Sequence, residues 1–280
     1  MNKDKIKKKM SAEEVVQYLT AFSAGSANDL SHTHLWVKSA GMVFDQLDRL
    51  QNLLGYDAAE IIPIERFSSE QEIDLGRLLT RHRSDKEFHR YHLLYAHIFE
   101  QLGRQQELKV LEIGLGTNNP SLISSMGPTG RPGASLYAWA EYLPHAQIYG
   151  ADIDTEILFQ DPSKNIRTAF VDQLEPATLE NLPTLLGQDK FDLIIDDGLH
   201  SFAANMNTLL FALKFLKPNG WLVIEDIHND RVNSWRLVQS LFKNSPYKTY
   251  LIRSVHAHIY ALRVSPRTTI SGLRGDRRAR

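Results

Sequence analysis

From about residue 89 onward the chain alternates short apolar segments with segments of helical periodicity, and this alternation constrains the fold more than any other feature. Strands separated by helices are typical of a parallel sheet covered by helices on both faces. A short polar break between the last two apolar segments indicates an antiparallel hairpin. We therefore predict an α/β fold with a doubly wound, mostly parallel sheet that ends in this hairpin. The predicted strands are residues 109–114, 147–153, 166–171, 191–196, 221–226, 249–255 and 258–264.

The first quarter of the chain has a helical pattern instead. Ser11 and Glu14 stand in capping-box positions before an apolar periodic run, and residues 37–55 show a second such run. Polar and Pro-marked segments indicate an irregular boundary at residues 60–80. We predict a helical region that serves as a lid or in homo-oligomerisation, a ligand-binding α/β domain, and a basic, disordered tail. These regions are residues 1–80, 81–266 and 267–280.

Composition narrows the classes of partner and of metal. The formal net charge is −1, so the chain has no overall basic field that would attract nucleic acid or a membrane surface. Cysteine is absent, which excludes disulfides and thiolate metal sites and leaves oxygen and imidazole as metal ligands. Because no apolar segment is long enough for a signal peptide or a membrane span, we expect a cytoplasmic protein.

Polar residues and glycines are concentrated where the predicted strands end, which is the edge at which open α/β sheets bind ligands. Glu112, Gly114 and Gly116 follow or end the first of these strands, and the glycines would let backbone approach a ligand. Such turns also occur for structural reasons alone. Asn119 replaces the third glycine of a dinucleotide fingerprint, which disfavours a nicotinamide dehydrogenase. For the Gly/Pro/Ser-rich residues 117–133 we predict a flap over the ligand.

The next two strand ends carry groups that suit a nucleoside. Asp152 can accept hydrogen bonds from both hydroxyls of a ribose, although capping a helix is an equally good reading of one Asp. Asp172 and Gln173 suit the amino group and ring edge of an adenine. Each signal is weak alone, but their succession at consecutive strand ends indicates a nucleoside cofactor.

An acidic cluster is predicted at the ends of the following strands. The segment DLIIDDGLH places Asp196, Asp197 and His200 after a buried strand, and Glu225 and Asp226 end the next one. Neighbouring parallel strands bring such ends close together. Carboxylates without cysteine form a set of hard oxygen ligands, which favours Mg²⁺ over Zn²⁺.

Several of these segments together resemble a known family. The chain is similar to the class I S-adenosylmethionine-dependent methyltransferases, which are Rossmann-like. More narrowly, it resembles the metal-dependent O-methyltransferases that modify sugars in macrolide and aminocoumarin biosynthesis. The likeness spans about residues 80 to 265, and residues 1–75 match no motif. It rests on LEIGLG, PGASLYAWAEYLPHAQIYGADID, FDLIIDDGLH, WLVIEDIH and, before the first strand, RSDKEFHRYHLLYAHIF.

The resemblance implies a role for each candidate residue. Asp197, Glu225 and Asp226 would be the ligands of Mg²⁺, and His200 would be the general base that removes a proton from the acceptor. Asp196 would face the cofactor and accept from its methionine ammonium group. The other residues implied to bind S-adenosylmethionine are Glu112, Gly114, Gly116, Asp152, Asp172 and Gln173.

Structural readings compete with several of these roles. Asp197 could only cap the following helix. Glu225 and Asp226 are adjacent, so they would point to opposite faces of a regular strand, and joint ligation requires that the strand has ended there. His228 competes with His200 for the role of base. Aromatic residues at helical spacing, among them Tyr91 and Tyr95, are more often core packing than part of a site.

The function implied is a Mg²⁺-dependent O-methyltransferase that acts on a hydroxyl of a small molecule, a sugar or glycosylated natural product. Methyl transfer to a hydroxyl needs an acceptor largely stripped of its proton, which a divalent cation and a nearby base can provide. Two alternatives remain at this point. One is an enzyme like the cephalosporin hydroxylases, which share the motifs, and the other is a non-catalytic S-adenosylmethionine-binding module of a biosynthetic complex.

Overall fold

The computed structural model describes residues 60–266 and several positions between residues 42 and 54. The chain forms two compact units, Met1–Ala58 and Ala59–Arg280, and the sheet lies in the second. Every described position from Met42 to Leu53 is helical, within the predicted second helix. The helix predicted at Ser11 and the tail at residues 267–280 lie outside the described residues.

The second unit is built on one nine-stranded sheet in the order β1-β8-β9-β7-β6-β2-β3-β5-β4. Strand β9 is antiparallel to β7 and β8, β4 is antiparallel to β5, and the other pairings are parallel. The predicted α/β fold with an antiparallel C-terminal hairpin is therefore confirmed. The strands are β1 (Ile61–Pro63), β2 (Lys109–Ile113), β3 (Gln147–Asp152), β4 (Gln160–Asp161), β5 (Ile166–Phe170), β6 (Phe191–Asp196), β7 (Leu216–Ile227), β8 (Tyr247–Arg253) and β9 (His258–Val264).

Helices cover both faces of the sheet, and this explains the continuous apolar runs of the strands. In β6, Leu193 and Ile195 pack in the core on one face, whereas Ile194 packs in the core on the other, as the two-residue period of a strand requires. The α-helices of this unit are α1 (Glu72–His82), α2 (Tyr91–Leu102), α3 (Ala134–Tyr142), α4 (Pro176–Leu186), α5 (Phe202–Phe215) and α6 (Val232–Leu241). No helix of the described part is long and apolar enough to cross a lipid bilayer.

Two short strands were not predicted. Strand β1 pairs with β8 at the edge of the sheet, where the missing N–H of Pro63 is tolerated. Strand β4 adds two residues to the opposite edge by pairing with β5. Because β1 and α1 belong to the same compact unit as the sheet, that unit includes residues 59–80, which lie before the predicted domain boundary.

Candidate active site

A cavity of about 580 Å³ lies at the carboxyl ends of β2, β3, β5 and β6. Strands of a doubly wound sheet bind ligands at this edge because the loops that follow them converge there. The structure thus brings most of the predicted residues to one cavity. Those that line it are Glu112, Gly114, Gly116, Asp152, Asp172, Gln173, Asp197, His200 and Asp226.

The glycine turn after β2 depends on the absence of side chains. Gly114 and Gly116 have φ angles of +93° and +78°, which other residues adopt only with strain. A Cβ atom at Gly114 would collide with the carbonyl oxygen of Asp197, and one at Gly116 would collide with the sulfur of Met126. The turn therefore brings the backbone of β2 against the loop that carries Asp197.

Gly114→Ala should lower the free energy of unfolding by more than about 3 kcal/mol, since it adds a backbone clash to an unfavourable φ. Gly127→Ala is the matched control, because Gly127 also has a positive φ (+74°) but faces open space. We expect a loss of about 1 kcal/mol from the control. Denaturant unfolding of both variants measures the difference, and equal losses would contradict the close approach seen at Gly114.

Residues 117–133, for which a flap was predicted, run along the cavity and include part of its lining. The segment is held by its own hydrogen bonds. The side-chain amide of Asn118 donates to the carbonyl oxygens of Gly127 (2.5 Å) and Gly130 (3.1 Å), and the Met126 N–H donates to the Thr117 carbonyl. The structure therefore places this segment where a flap would be, while its movement stays a prediction.

The acidic residues at the carboxyl ends of β2 and β3 are buried and hydrogen-bonded. Glu112 accepts from the Ser135 hydroxyl (2.7 Å) and from the Trp139 indole N–H (2.6 Å). Asp152 accepts from the backbone N–H of Leu115 at 2.7 Å, so it also fixes the glycine turn. Burial raises the pKa of the Asp152 carboxyl. Asp154, not Asp152, caps the short helix after β3, and Asp152 also lines the cavity.

Gln173, which lines the cavity, forms a buried pair with Asp196. The Gln173 amide donates to Asp196 (2.8 Å) and accepts from the backbone N–H of Leu199, so it ties the end of β5 to the loop after β6. Asp196 is fully buried and accepts a second hydrogen bond from Asn205. It is absent from the cavity lining. Its side chain points into the packing between β6 and α5, and its role towards the cofactor stays a prediction.

A β-bulge explains how adjacent acidic residues reach one site. The pairing of β7 with β9 shifts by one residue between Ile224 and Ile227, and Asp226 adopts a left-handed conformation (φ +54°). We predicted that strand β7 ends at Asp226, but it continues to Ile227. The bulge, rather than the end of the strand, turns Asp226 towards the edge where Asp197 lies.

Asp197, His200 and Asp226 form a compact group. One potential ligand atom from each lies within 4.8 Å of the others. The His200 Nε2 atom is 3.9 Å from an Asp197 oxygen and 3.8 Å from an Asp226 oxygen. About a third of the His200 side chain is exposed (32%), so it is open to the cavity. His228 instead lies at the surface with 78% of its side chain exposed, and its Nδ1 contacts Asp230.

Glu225 lies behind this group, in contact with side chains that the sequence analysis did not assign. It is buried, and Lys86 donates to it at 2.5 Å while the Tyr95 hydroxyl donates to its other oxygen. Lys86 also donates to Asp197 at 2.6 Å. The Tyr91 hydroxyl donates to Asp226. The only signal for these residues was the motif before the first strand, whose aromatic spacing we read as core packing.

The charges of this cluster depend on one another. Burial raises the pKa of the Asp197 carboxyl to about 6 against the opposing effect of Lys86. Although burial alone lowers it, the neighbouring carboxylates raise the pKa of the Lys86 ammonium well above its usual value. Burial and the adjacent Glu225 raise the pKa of the Tyr95 hydroxyl. Burial also raises the pKa of the Glu225 carboxyl well above its usual value, so the charge states of Lys86 and of the two carboxyls that it contacts are linked.

Comparisons with known proteins identify relatives of this chain. A family model described as a methyltransferase domain matches residues 128–227. A tetracenomycin rhamnosyl 2'-O-methyltransferase of Streptomyces olivaceus is 31% identical over 154 residues, which are 55% of this chain and 37% of the relative. Demethylmacrocin O-methyltransferase of Streptomyces fradiae is 32% identical over 158 residues, 55% of this chain and 36% of the relative. The chain thus spans well under half the length of these two relatives.

A solved structure shares the fold. MycE methyltransferase, crystallised with Mg, SAH and mycinamycin VI, has a TM-score of 0.55 and 23% identity over 70% of this chain and 56% of its own. Residues 128–227 therefore match a methyltransferase domain, and the solved structure shows that the chain shares the fold of such an enzyme. In sequence the chain is similar to the two O-methyltransferases of Streptomyces, which confirms the resemblance noted in the sequence.

Proposed function

We propose that this protein is a Mg²⁺-dependent O-methyltransferase that transfers a methyl group to a hydroxyl of a sugar on a natural product. The observation that carries the proposal is the group formed by Asp197, His200 and Asp226 at the wall of a cavity that also contains the glycine turn. The tetracenomycin rhamnosyl 2'-O-methyltransferase named above supports the sugar acceptor, since its name describes methyl transfer to a rhamnosyl group.

The cavity fits S-adenosylmethionine in its chemistry. Gly114 and Gly116 leave room for backbone to approach a ligand, and Asp152 and Asp172 are carboxylates at the ends of β3 and β5 that can accept from ribose and adenine. When bound, the cofactor supplies a methyl group on a positively charged sulfur. The buried Glu112 beneath the turn adds negative charge to this end of the cavity.

The acidic cluster fits a hard divalent cation. Asp197 and Asp226 each have an oxygen near His200, and Glu225 is the third carboxylate. Oxygen ligands of this kind suit Mg²⁺. When bound, the cation would orient the acceptor hydroxyl and lower its pKa. The bulge in β7 turns Asp226 towards Asp197, which follows β6, so that both carboxylates could bind the same cation.

His200 has the placement of a general base. It contacts two acidic residues of the cluster, and its ring is open to the cavity from which an acceptor would enter. A neutral imidazole there can take the proton that the hydroxyl loses as its oxygen attacks the methyl group. The exposed His228, which is absent from the cavity lining, lacks this placement.

Metal removal is the direct test of this proposal. Release of S-adenosylhomocysteine from a panel of glycosylated polyketides should require Mg²⁺, fall to background in EDTA and return when excess Mg²⁺ is added. Undiminished release in EDTA would contradict the metal role. Oxidation of an acceptor without release of S-adenosylhomocysteine would instead favour the hydroxylase-like alternative, and failure to bind S-adenosylmethionine in calorimetry would contradict the proposal as a whole.

A further inference from the structure

The side chain of Lys86 lies inside the acidic cluster. It is only 2% exposed, and its ammonium lies 2.5 Å from Glu225 Oε2, 2.6 Å from Asp197 Oδ2 and 3.4 Å from Glu112 Oε1. These carboxylates come from the ends of three neighbouring strands, β7, β6 and β2. A buried ammonium has three donors, and here it donates to Asp197 and Glu225 and also lies within ion-pair distance of Glu112.

Two of these carboxylates are also proposed metal ligands, and their oxygens are already in use. One oxygen of Glu225 accepts from Lys86 and the other accepts from the Tyr95 hydroxyl. One oxygen of Asp197 accepts from Lys86, while the other is near His200. A cation that bound to Glu225 would therefore have to compete with a group that the protein itself supplies.

We propose that Lys86 is the resident cation of the acidic site and sets its affinity for divalent metals. Without metal, its ammonium bridges Asp197 and Glu225 and offsets the repulsion between them. A divalent cation binds by displacing the ammonium from these carboxylates, and Glu112 Oε1 is the remaining acidic oxygen within its reach. This inference rests on the proposed metal site and adds a residue that controls it.

Charge decides the direction of the effect. A positive charge a few ångströms from a divalent cation opposes its binding strongly in a buried site. Loss of the hydrogen bonds that Lys86 donates to two carboxylates would weaken metal binding, but this effect is smaller. Removing the ammonium while keeping the length of the side chain should therefore strengthen metal binding, whereas general damage to the site would weaken it.

The experiment is calorimetric titration of Mg²⁺ into the cofactor-free full-length chain. We expect Lys86→Met to bind Mg²⁺ at least about tenfold more tightly than the wild type. In EDTA the melting temperature of Lys86→Met should lie below that of the wild type, and added Mg²⁺ should raise it by more than it raises that of the wild type. Lys86→Arg, which retains the charge, should bind no more tightly than the wild type. Lys190→Met is the matched control, because Lys190 lies at the amino end of β6, away from the site.

Equal or weaker Mg²⁺ binding by Lys86→Met would overturn the proposal. Should that variant fail to fold, an NMR experiment on the wild type with ¹⁵N-labelled lysine decides instead. The ammonium signal that is missing in Lys86→Arg belongs to Lys86, and Mg²⁺ should shift it. A signal that does not shift would overturn the proposal. If Lys86→Met binds Mg²⁺ more tightly but the wild type transfers no methyl group, the proposed function alone is contradicted. Mg²⁺-dependent transfer without tighter binding would contradict the role of Lys86 alone.

Discussion

Asp197→Asn should reduce methyl transfer by about a thousandfold or more and remove its dependence on Mg²⁺. Asp197 is the residue on which the site converges: it contacts Lys86, lies near His200 and Asp226, and its backbone N–H donates to Ile113 at the end of β2. An amide keeps the shape of the side chain but removes the charge that would hold a divalent cation. Initial rates over a Mg²⁺ series measure the effect.

The control for this variant is Asp230→Asn. Asp230 is also an aspartate near the end of β7, but its side chain is 61% exposed and pairs with His228 and Arg231 at the surface. Its loss should change the rate by less than about twofold, as is usual for exposed ion pairs. Retention of Mg²⁺-dependent activity by Asp197→Asn would contradict a metal role for Asp197 and leave its contact with Lys86 as its function, since Ser201 caps the following helix.

His200→Gln should lower the rate of transfer by about 10²–10⁴-fold, which is the range for loss of a general base. Glutamine can keep polar contacts to Asp197 and Asp226 but cannot take up a proton. Binding of S-adenosylmethionine, measured by calorimetry, should be unchanged, since the effect is on the chemical step.

His228→Gln is the matched control, and we expect it to retain close to the wild-type rate because His228 lies outside the cavity lining. The reverse result, with a large loss at His228 and none at His200, would exchange the two roles. A loss of Mg²⁺ affinity in His200→Gln would indicate that His200 is a metal ligand, in keeping with its place in the group with Asp197 and Asp226.

The sheet could be predicted because strands that are buried on both faces have a recognisable apolar pattern in the sequence. Strands such as β6 are continuous apolar runs ended by polar residues, and helices separate them. Strands β1 and β4 are too short to show such a pattern. Three and two residues long, they lie at the edges of the sheet, where pairing with one neighbour is decided by tertiary contacts and not by a local pattern.

The site was predictable in part, because the fold predicted from the sequence fixes where the strands end. Residues that follow strands converge at one edge of a parallel sheet, so Asp197 and Asp226 could be brought together from the sequence. Asp196 could not be placed, since the choice between cavity and interior depends on its neighbours Gln173 and Asn205. Lys86 was missed because its partners are 111 and 139 residues away in the chain.

The bulge in β7 also limits how this segment of the chain can vary in length. One extra residue between Ile224 and Ile227 is what gives Asp226 its orientation. Deleting a single residue there would restore a regular ladder to Tyr260 and His258 and rotate Asp226 away from Asp197. Substitutions at Ile227 can be judged by size and polarity, but an insertion or a deletion between these isoleucines would change which side chains meet, whatever residue were chosen.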